Sequence, residues 1–325
     1  MRRGFLLGKF LPPHAGHVFL CKTAVRLCDQ LTVLVCSLPD DPIPGGKRFE
    51  WMKELLPRVK VLHHDRPVPQ APSDHPDFWK IWKGICREAH PEPVDLVFGS
   101  EPYIDRLAEE LGAKPLMVDA ARLAFPVSGT AVRKNPSAHW QFIPGAVRSY
   151  FQRRVVLFGA ESTGKSTMAE WLAGVFRTRF VPEYGRTYDA HRGSADWTKQ
   201  DFEAIANGHE AMRAAIAPMA GPILIEDTDP LLTRVWEEFL TGGAASADFR
   251  RPLADLYLLQ DIDLPWQNDG TRYQGDPRAR EQFHSRCKQL LRDVGANWRL
   301  ISGSSIERKA QCEQEIRSLL YTHCC

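Results

Sequence analysis

Two histidines three residues apart follow the first apolar segment of the chain, within residues 8–17 (GKFLPPHAGH). Side chains at this spacing lie on one face of a helix, and the free N–H groups at a helix start attract anions. Isolated histidines are more often helix caps or core residues. This loop, however, fits the pattern Gly-x-Phe-x-Pro-x-His-x-Gly-His, and its six fixed positions make a chance match rare. The loop therefore predicts a site where His14 and His17 contact one phosphate group.

Residues 125–133 (FPVSGTAVR) carry a second set of phosphate-binding groups. Ser128 and Thr130 place two hydroxyls at a predicted helix start, and Arg133 places a guanidinium one turn later. Alone, Ser-x-Thr is simply a good helix N-cap. Together with the histidine loop, these residues predict a polyphosphate clamp, because the arginine fork and the helix start bind the same anion.

A separate phosphate loop lies at residues 159–167 (GAESTGKST), which fit G-x-x-x-x-G-K-[ST]. The match follows an apolar strand and opens a helix, as the mechanism requires. Such a loop surrounds the phosphates of ATP with N–H groups, while its lysine contacts the β- and γ-phosphates and its serine binds Mg²⁺. We predict ATP contacts from the loop residues Gly159, Glu161, Ser162, Thr163, Gly164, Lys165, Ser166 and Thr167, with Ser166 as a metal ligand.

Acidic residues downstream of this loop suit a small-molecule kinase. Asp227 ends an apolar strand, where a carboxylate on the Mg²⁺ side is expected, although acids also end buried strands simply because the next residue is wet. Glu183 could accept the proton of a hydroxyl nucleophile or form an ordinary ion pair. The general base is left open between Glu183, Asp227 and Asp229, and we predict substrate contacts from Glu183, Arg186 and Asp229.

Residues 265–272 (PWQNDGTR) precede an arginine-rich stretch, residues 278–286. This region could form a lid whose arginine neutralises charge on the transferred phosphoryl group. A solvated helix face is the competing interpretation of the arginine-rich stretch. We predict Arg272 as an ATP contact, and Trp266 and Asp269 as substrate contacts.

Short apolar strands alternate with helical stretches along the chain, which predicts two α/β domains with parallel sheets. Strands are expected at residues 4–7, 31–36, 59–62, 94–98 and 114–118, and helices at 16–28, 49–56, 78–88 and 104–111. A new series begins with a strand at residues 154–158. We place the boundary near Tyr150, giving domains 1–150 and 151–325. Residues 66–76 are either an active-site loop or a connector.

Composition excludes several classes of protein. The 325 residues are 43% hydrophobic and 25% charged, with a formal net charge of +2, so neither disorder nor general nucleic-acid binding is expected. Eight cysteines without a Cys-x-x-Cys pair favour buried free thiols in a reducing compartment. No apolar run reaches the length of a membrane span. A cytoplasmic protein without membrane insertion is expected.

The histidine loop is similar to the signature of the HxGH nucleotidyltransferases. The resemblance implies that a phosphate on an acceptor attacks the α-phosphorus of ATP and releases pyrophosphate. Catalysis then depends on positioning and charge stabilisation, with Mg²⁺, by His14, His17, Arg133 and either Lys47 or Arg48. The implied ATP contacts are Gly8, Lys9, Phe10, His14, His17, Ser128, Thr130 and Arg133, and Arg48 is assigned to the substrate.

Across nearly the whole chain, the order of these motifs resembles the NadR-type bifunctional NMN adenylyltransferase and ribosylnicotinamide kinase. The resemblance implies that the second domain makes NMN from nicotinamide riboside and ATP, and that the first joins NMN to ATP to give NAD. Some members carry an N-terminal helix-turn-helix, for which the first strand near Gly4 leaves no room. Trp79 and Trp82 could stack on the nicotinamide ring, or could be core residues.

Two alternatives remain at this point. The same two reactions could act on a different phosphorylated acceptor. A sensor of another class would bind ATP and NAD without turnover and signal to a partner such as a riboside transporter. The intact His14, His17, Lys165 and Asp227 favour an enzyme. Association into a homo-oligomer is compatible with the sequence.

Overall fold

The chain divides into two units, Met1–Arg148 and Ser149–Cys325, each with its own parallel sheet. The computed structural model describes residues 1–193, 196–245, 252–266, 273 and 275–321. None of the helices in these ranges combines the length and hydrophobicity of a membrane-spanning segment. The cysteines in the same ranges form no disulfide, and all but Cys28 are buried.

The N-terminal unit is built on five parallel strands in the order β3-β2-β1-β4-β5. They are β1 (Arg3–Gly8), β2 (Gln30–Cys36), β3 (Lys60–His64), β4 (Leu96–Gly99) and β5 (Lys114–Met117). The first strand in sequence is thus central, and the chain crosses from one side of it to the other after β3. At the carboxyl end of the sheet, the loop after β1 and the loop after β4 therefore run in opposite directions. The crevice between them is where sheets of this kind bind ligands.

Helices cover both faces of this sheet: α1 (Ala15–Leu27), α2 (Gly45–Leu55), α3 (Phe78–Ala89) and α4 (Tyr103–Leu111), followed by α5 (Gly129–Lys134). The next helix, α6 (Gly145–Phe151), contains the point in the sequence at which the two units divide. Successive strand residues point to opposite faces. Accordingly Phe5 packs with residues of α3 and α4, while Leu6 packs with residues of α1 and α2. Burial on both sides explains why these strands are uninterrupted apolar runs.

The C-terminal unit repeats this design with the strand order β10-β9-β6-β8-β7, again all parallel. Its strands are β6 (Arg153–Phe158), β7 (Phe180–Val181), β8 (Ile223–Asp227), β9 (Leu256–Gln260) and β10 (Trp298–Ile301). Here too the first strand in sequence, β6, is central. The loops after β6, β7 and β8 therefore end side by side at one edge of the sheet.

The helices of this unit are α7 (Lys165–Val175), α8 (Tyr184–Asp189), α9 (Lys199–Ile216), α10 (Pro230–Thr241), α11 (Pro277–Asp293) and α12 (Ser305–Tyr321). Val156 faces residues of α10 and α11, and Val155 faces residues of α7 and α12. Short 3₁₀ turns lie at Pro72–Asp74, Trp140–Phe142 and Ala217–Met219.

The prediction of two α/β domains with parallel sheets is confirmed. The predicted strands and helices match observed elements to within a few residues at each end. The main difference is α2, which begins at Gly45 rather than near Phe49. Glycines are poor helix formers, so Gly45 and Gly46 argued against a helix there. Gly45 has a packing reason, since a Cβ at that position would lie 2.1 Å from the Ser37 hydroxyl.

Candidate active sites

The loop between β1 and α1 brings the two predicted histidines together. His14 is the N-cap of α1 and His17 lies in its first turn, and their rings stack with centroids 3.8 Å apart. The ring of Phe10 packs against His17 edge-on at 5.0 Å. The stacking places both imidazoles at one position in front of the central strand, as the spacing predicted.

Burial keeps both imidazoles neutral. Burial first, and then the positive charge of Arg122, lower the pKa of His14 to about 4. The pKa of His17 is also lowered well below its usual range, by burial first and then by His14 and Arg122. Within the described part of the chain, the Nδ1 atoms of both residues are buried without a hydrogen-bond partner. Two neutral rings with unused polar atoms are ready to bind a ligand oxygen.

The start of α5 is tied to the histidine loop. Ser128 caps the helix by accepting a hydrogen bond from Ala131 N at 3.1 Å. Arg133 donates to the carbonyl of Leu11 and, at 3.3 Å, to the hydroxyl of Thr130. A Cβ on Gly129 would lie 2.3 Å from Leu11 O, so only glycine permits this approach of helix and loop. The predicted clamp therefore surrounds the same space as the histidines.

Arg48 does not occupy the position predicted for it. Its side chain is 0% exposed and pairs with Asp41 at 2.6 Å. It also donates to the carbonyls of Lys9 at 2.6 Å and Cys36 at 3.3 Å. The guanidinium thus holds the histidine loop through the carbonyl of Lys9, and because it is fully buried it is not available to a substrate. The neighbouring Lys47 is exposed and pairs with Glu50 at 3.4 Å.

A cavity of about 600 Å³ opens in front of the histidines. Its walls include His14, His17, the start of α5, both tryptophans of α3, and Gln70 and Pro72 from the proline-rich segment, which the structure therefore places at the site. The indole N–H of Trp82 donates to Pro69 O at 3.0 Å, and this ring is buried in the core. Trp79 lines the same cavity and is only partly buried.

The cavity residues that sequence reasoning missed include Glu101, Tyr103 and Arg122. Arg122 adopts a left-handed backbone conformation, with φ of 52°, in a turn organised by Asp119. It pairs loosely with Glu101 at 3.5 Å, and Tyr103 donates to Leu7 O at 3.1 Å. The available signal was position, since Glu101 follows β4 and Arg122 follows β5 at the carboxyl edge of the sheet.

In the C-terminal unit, residues 159–164 form a closed loop between β6 and α7. Gly159, Ser162 and Gly164 have φ values of 126°, 58° and 83°, the left-handed region that glycine adopts without strain. A Cβ on Gly159 would also lie 2.9 Å from Gln260 O. The ammonium of Lys165 folds back to donate to Ala160 O at 2.8 Å. This arrangement is a phosphate cradle, with its lysine held by the loop's own carbonyl.

The predicted acids lie beside this cradle, because β7 and β8 are neighbours in the sheet. Asp227 is 2% exposed, and its Oδ1 is buried with no hydrogen-bond partner among the described residues. Burial raises the pKa of Glu183, with Lys165 opposing the shift and Asp227 adding to it. These three groups therefore share one electrostatic environment. Arg186 lies 3.6 Å from the Glu183 carboxylate.

Asp229 has a structural role that the sequence interpretation did not assign to it. One oxygen caps α10 by accepting from Leu231 N at 3.0 Å and Leu232 N at 3.2 Å. The other accepts from the hydroxyl of Tyr257 at 2.9 Å. The residue is 4% exposed, and burial raises its pKa to about 6. With both oxygens used inside the protein, the predicted substrate contact is not supported.

The predicted lid is only partly described. Arg272 and Asp269 lie outside the described residues. Trp266 is partly buried, and its ring lies so close to Gly275 that a Cβ there would be in van der Waals contact with it, at 3.8 Å. Residues 278–286 lie in α11, whose Phe283 packs in the core, so this stretch is not a purely solvated helix face, and the lid stays a prediction. On this helix Arg280 donates to Leu264 O at 3.1 Å and to Ser162 O of the phosphate loop at 3.3 Å.

Comparison with family models assigns each unit separately. Residues 5–143 match the cytidylyltransferase-like family, and residues 154–309 match the AAA domain. The first range contains the histidine cavity, and the second contains the phosphate loop and its acids. Each match therefore covers one complete site.

The chain is also similar to curated proteins over both units. It is 27% identical to the trifunctional NAD biosynthesis/regulator protein NadR of Escherichia coli (strain K12), over 98% of this chain and 83% of that protein. The NadR protein of Salmonella typhimurium is 27% identical, over 89% of this chain and 76% of that protein. A nicotinamide-nucleotide adenylyltransferase of Methanolobus tindarius is 28% identical over 34% of this chain and 64% of its own length.

Two solved structures share this fold over nearly its whole length. A NadR protein in complex with NR has a TM-score of 0.78 at 20% identity, covering 98% of this chain and 96% of the solved one. A NadR protein in complex with NAD and AMP-PNP has a TM-score of 0.76 at 21% identity, with the same coverage. With similarity running through both units and both sites, the chain is a homologue of the NadR proteins along nearly its whole length.

Proposed function

We propose that the chain is a bifunctional enzyme of NAD biosynthesis. The C-terminal unit phosphorylates nicotinamide riboside with ATP to give NMN. The N-terminal unit then transfers AMP from a second ATP to NMN, giving NAD and pyrophosphate. We place both reactions in the cytoplasm, since the buried free thiols suit a reducing compartment.

One observation carries this proposal: a single chain, similar to NadR proteins along 98% of its length, holds two separate candidate sites, the histidine cavity in one unit and the closed loop with adjacent acids in the other. The relatives are called NAD biosynthesis proteins, and the solved neighbours contain NR, NAD and an ATP analogue. The histidine cavity suits a dinucleotide, and the closed loop with adjacent acids suits γ-phosphoryl transfer.

In the N-terminal site, the phosphate of NMN attacks the α-phosphorus of ATP in line. We assign the phosphate-binding groups to the neutral rings of His14 and His17 and to Arg133, with Ser128 and Thr130 at the start of α5. These donors are fixed before ATP arrives, and donors of this kind contribute most where charge develops in the transition state. Arg122 adds positive charge at the same wall. Arg48 holds the carbonyl of Lys9 and so positions the loop.

In the C-terminal site, the 5′-hydroxyl of the riboside attacks the γ-phosphorus of ATP. When ATP binds, the ammonium of Lys165 exchanges its hydrogen bond to Ala160 O for contacts with the β- and γ-phosphates, where it stabilises the negative charge. Glu183 is the general base, because its raised pKa makes it a better proton acceptor than an ordinary carboxylate. The bond between the 5′-oxygen and the γ-phosphorus forms as the bond from the γ-phosphorus to the β–γ bridging oxygen breaks. The products are NMN and ADP, and the hydroxyl proton passes to Glu183.

The donor set fits Mg²⁺. The unpartnered Oδ1 of Asp227 and the exposed hydroxyl of Ser166 are the oxygen ligands that would hold it, and Mg²⁺ commonly takes only one or two ligands from protein. When bound, the ion would supply charge neutralisation at the β- and γ-phosphates. The same carboxylate cannot also serve as the base, which leaves Glu183 for that role.

For the nicotinamide ring in the N-terminal cavity, we assign Trp79 and not Trp82. The indole of Trp82 is buried and its N–H is already bonded. Trp79 lines the cavity and is only partly buried, and an aromatic ring there can stack on a pyridinium.

The test is product analysis of the full chain. Mixed with nicotinamide riboside, ATP and Mg²⁺, the protein should form NMN first and then NAD with pyrophosphate, as resolved by chromatography over time. Given NMN in place of the riboside, it should form NAD directly. If neither NMN nor NAD appears, the proposed function is wrong.

A further inference from the structure

One buried arginine, Arg308 of α12, joins the loops that follow β9 and β10. Its side chain is 1% exposed, in a region where burying a charge is costly unless it is paired. The Nε atom donates to Gly303 O at 2.9 Å, and Nη2 donates to Asp261 O at 3.0 Å and to the carboxylate of Asp263. Asp263 in turn accepts from Gly303 N at 2.6 Å, so the two loops are cross-linked twice.

The remaining nitrogen of Arg308 reaches the phosphate loop. Nη1 donates to the side-chain oxygen of Gln260 at 3.3 Å and to the carbonyl of Thr163 at 3.5 Å. Thr163 precedes Gly164, which turns the chain into α7 with φ of 83°. Three loops at the carboxyl edge of the sheet, after β6, β9 and β10, thus share one guanidinium.

The bond to Thr163 O has a consequence for the loop's donors. In a planar trans peptide, the carbonyl and the following N–H point in opposite directions. A carbonyl held towards Arg308 therefore directs Gly164 N–H to the other side. Donors in a phosphate loop are such N–H groups, and a loop that is already in its binding conformation loses less conformational entropy when the anion binds.

We propose that Arg308 is a positioning residue for the ATP site of the C-terminal unit. It keeps the phosphate loop in its anion-binding conformation before ATP arrives, and it does so without contacting ATP itself. The kinetic part of this inference rests on the proposed kinase function, whereas its structural part does not.

The perturbing variant is Arg308→Lys, which keeps the positive charge but replaces a planar five-donor fork by a single ammonium that cannot span three loops. The matched control is Arg317→Lys on the same helix, where the side chain is 52% exposed and pairs with Glu313. We expect Arg308→Lys to raise KM for ATP in riboside phosphorylation about tenfold, as loss of roughly one hydrogen bond from a charged donor would. KM for the riboside and the rate of NMN adenylylation should be unchanged.

A second readout needs no catalysis. In hydrogen–deuterium exchange of the substrate-free full chain, the peptide covering residues 159–167 should exchange faster in Arg308→Lys than in wild type or in Arg317→Lys. Peptides covering β8 and residues 8–17 should be unchanged. Asp263→Asn, at a side chain that is 38% exposed, should give the same local change if Arg308→Lys fails to fold.

These outcomes separate the two ideas. Unchanged exchange at residues 159–167 in the folded variants would overturn the role of Arg308. A uniform increase throughout the C-terminal unit would also overturn it, since that result indicates only a general structural role. A wild-type protein that does not phosphorylate the riboside would refute the kinase proposal, while the local exchange result would still decide the role of Arg308.

Discussion

Replacing Lys165 by Ala should abolish one of the two proposed reactions and leave the other. Lys165 lies in the phosphate loop of the C-terminal unit, where its ammonium donates to Ala160 O. The N-terminal unit has its own cavity around His14 and His17, to which we assign a separate set of phosphate-binding groups. We therefore expect Lys165→Ala to lose NMN formation from the riboside, while conversion of NMN to NAD continues.

The size of the loss follows from the charge that is removed. Two unit charges about 4 Å apart attract by roughly 4 kcal/mol at an effective dielectric constant of about 20. If the whole of this attraction acted only in the transition state, its loss would slow the reaction about a thousandfold. Part of it already exists with bound ATP and does not affect kcat. We expect kcat for riboside phosphorylation to fall about a hundred- to a thousandfold.

The assay is chromatography of riboside, NMN and NAD over time with ATP and Mg²⁺. His17→Ala is the reciprocal variant and should make NMN accumulate, because removal of one transition-state donor commonly costs about a hundredfold or more. Lys199→Ala, which removes an exposed lysine from the start of α9, is the matched control. A mixture of Lys165→Ala and His17→Ala should restore the route from riboside to NAD by diffusion of NMN.

The two-site model makes one outcome impossible. If folded Lys165→Ala lost both reactions, a single shared ATP site would be indicated and the reasoning would fail. Retained riboside phosphorylation at the wild-type rate would equally refute the role given to the lysine.

Three further predictions concern single residues. Asp227→Asn should raise the Mg²⁺ concentration needed for half-maximal kinase activity. Glu183→Gln should lower kcat of the kinase reaction about a hundredfold and leave KM for ATP unchanged. If each variant instead showed the effect expected of the other, the two roles would have to be exchanged. The pKa of His14 is about 4 in the folded protein and 6.5 in an unfolded chain, so as pH falls the unfolded chain binds a proton at a higher pH than the folded protein does. The unfolding free energy should therefore fall as pH drops from 6.5 to 4, and His14→Gln should flatten that fall in urea titrations; an equal slope would contradict it. Trp79→Leu should raise KM for NMN about tenfold at unchanged thermal stability, whereas Trp82→Leu should lower stability; equal KM values for wild type and Trp79→Leu would refute the stacking role.

The fold was predictable because its strands are buried on both faces and read as uninterrupted apolar runs. The elements from β1 to β5 lie where the alternation of apolar and helical segments indicated. The start of α2 was not predictable, since Gly45 and Gly46 are poor helix formers placed there by packing against Ser37. Strand order was not readable either, because pairings such as Gly4 with Leu96 depend on contacts far apart in sequence.

Motif residues were predictable to the extent that local sequence determines them. The histidine pair and the phosphate loop depend on neighbours within a few residues, and the structure forms both as the spacing indicated. Arg48 and Asp229 are different, because distant partners decide their surroundings: Arg48 meets Asp41 and the Lys9 carbonyl, and Asp229 meets Tyr257. No local pattern distinguishes a charge that faces a ligand from one that faces a carbonyl.

The central position of the first strand in each sheet affects how the protein can be made on the ribosome. Arg3 is hydrogen-bonded to Asp95, 92 residues later, and Arg154 to Asp255, 101 residues later. Neither central strand can be flanked on both sides until most of its unit has emerged, so neither phosphate site can form on a short nascent chain. Because domains fold as units during synthesis, the NAD-forming half can be complete before the ribosome has finished the half that supplies it with NMN.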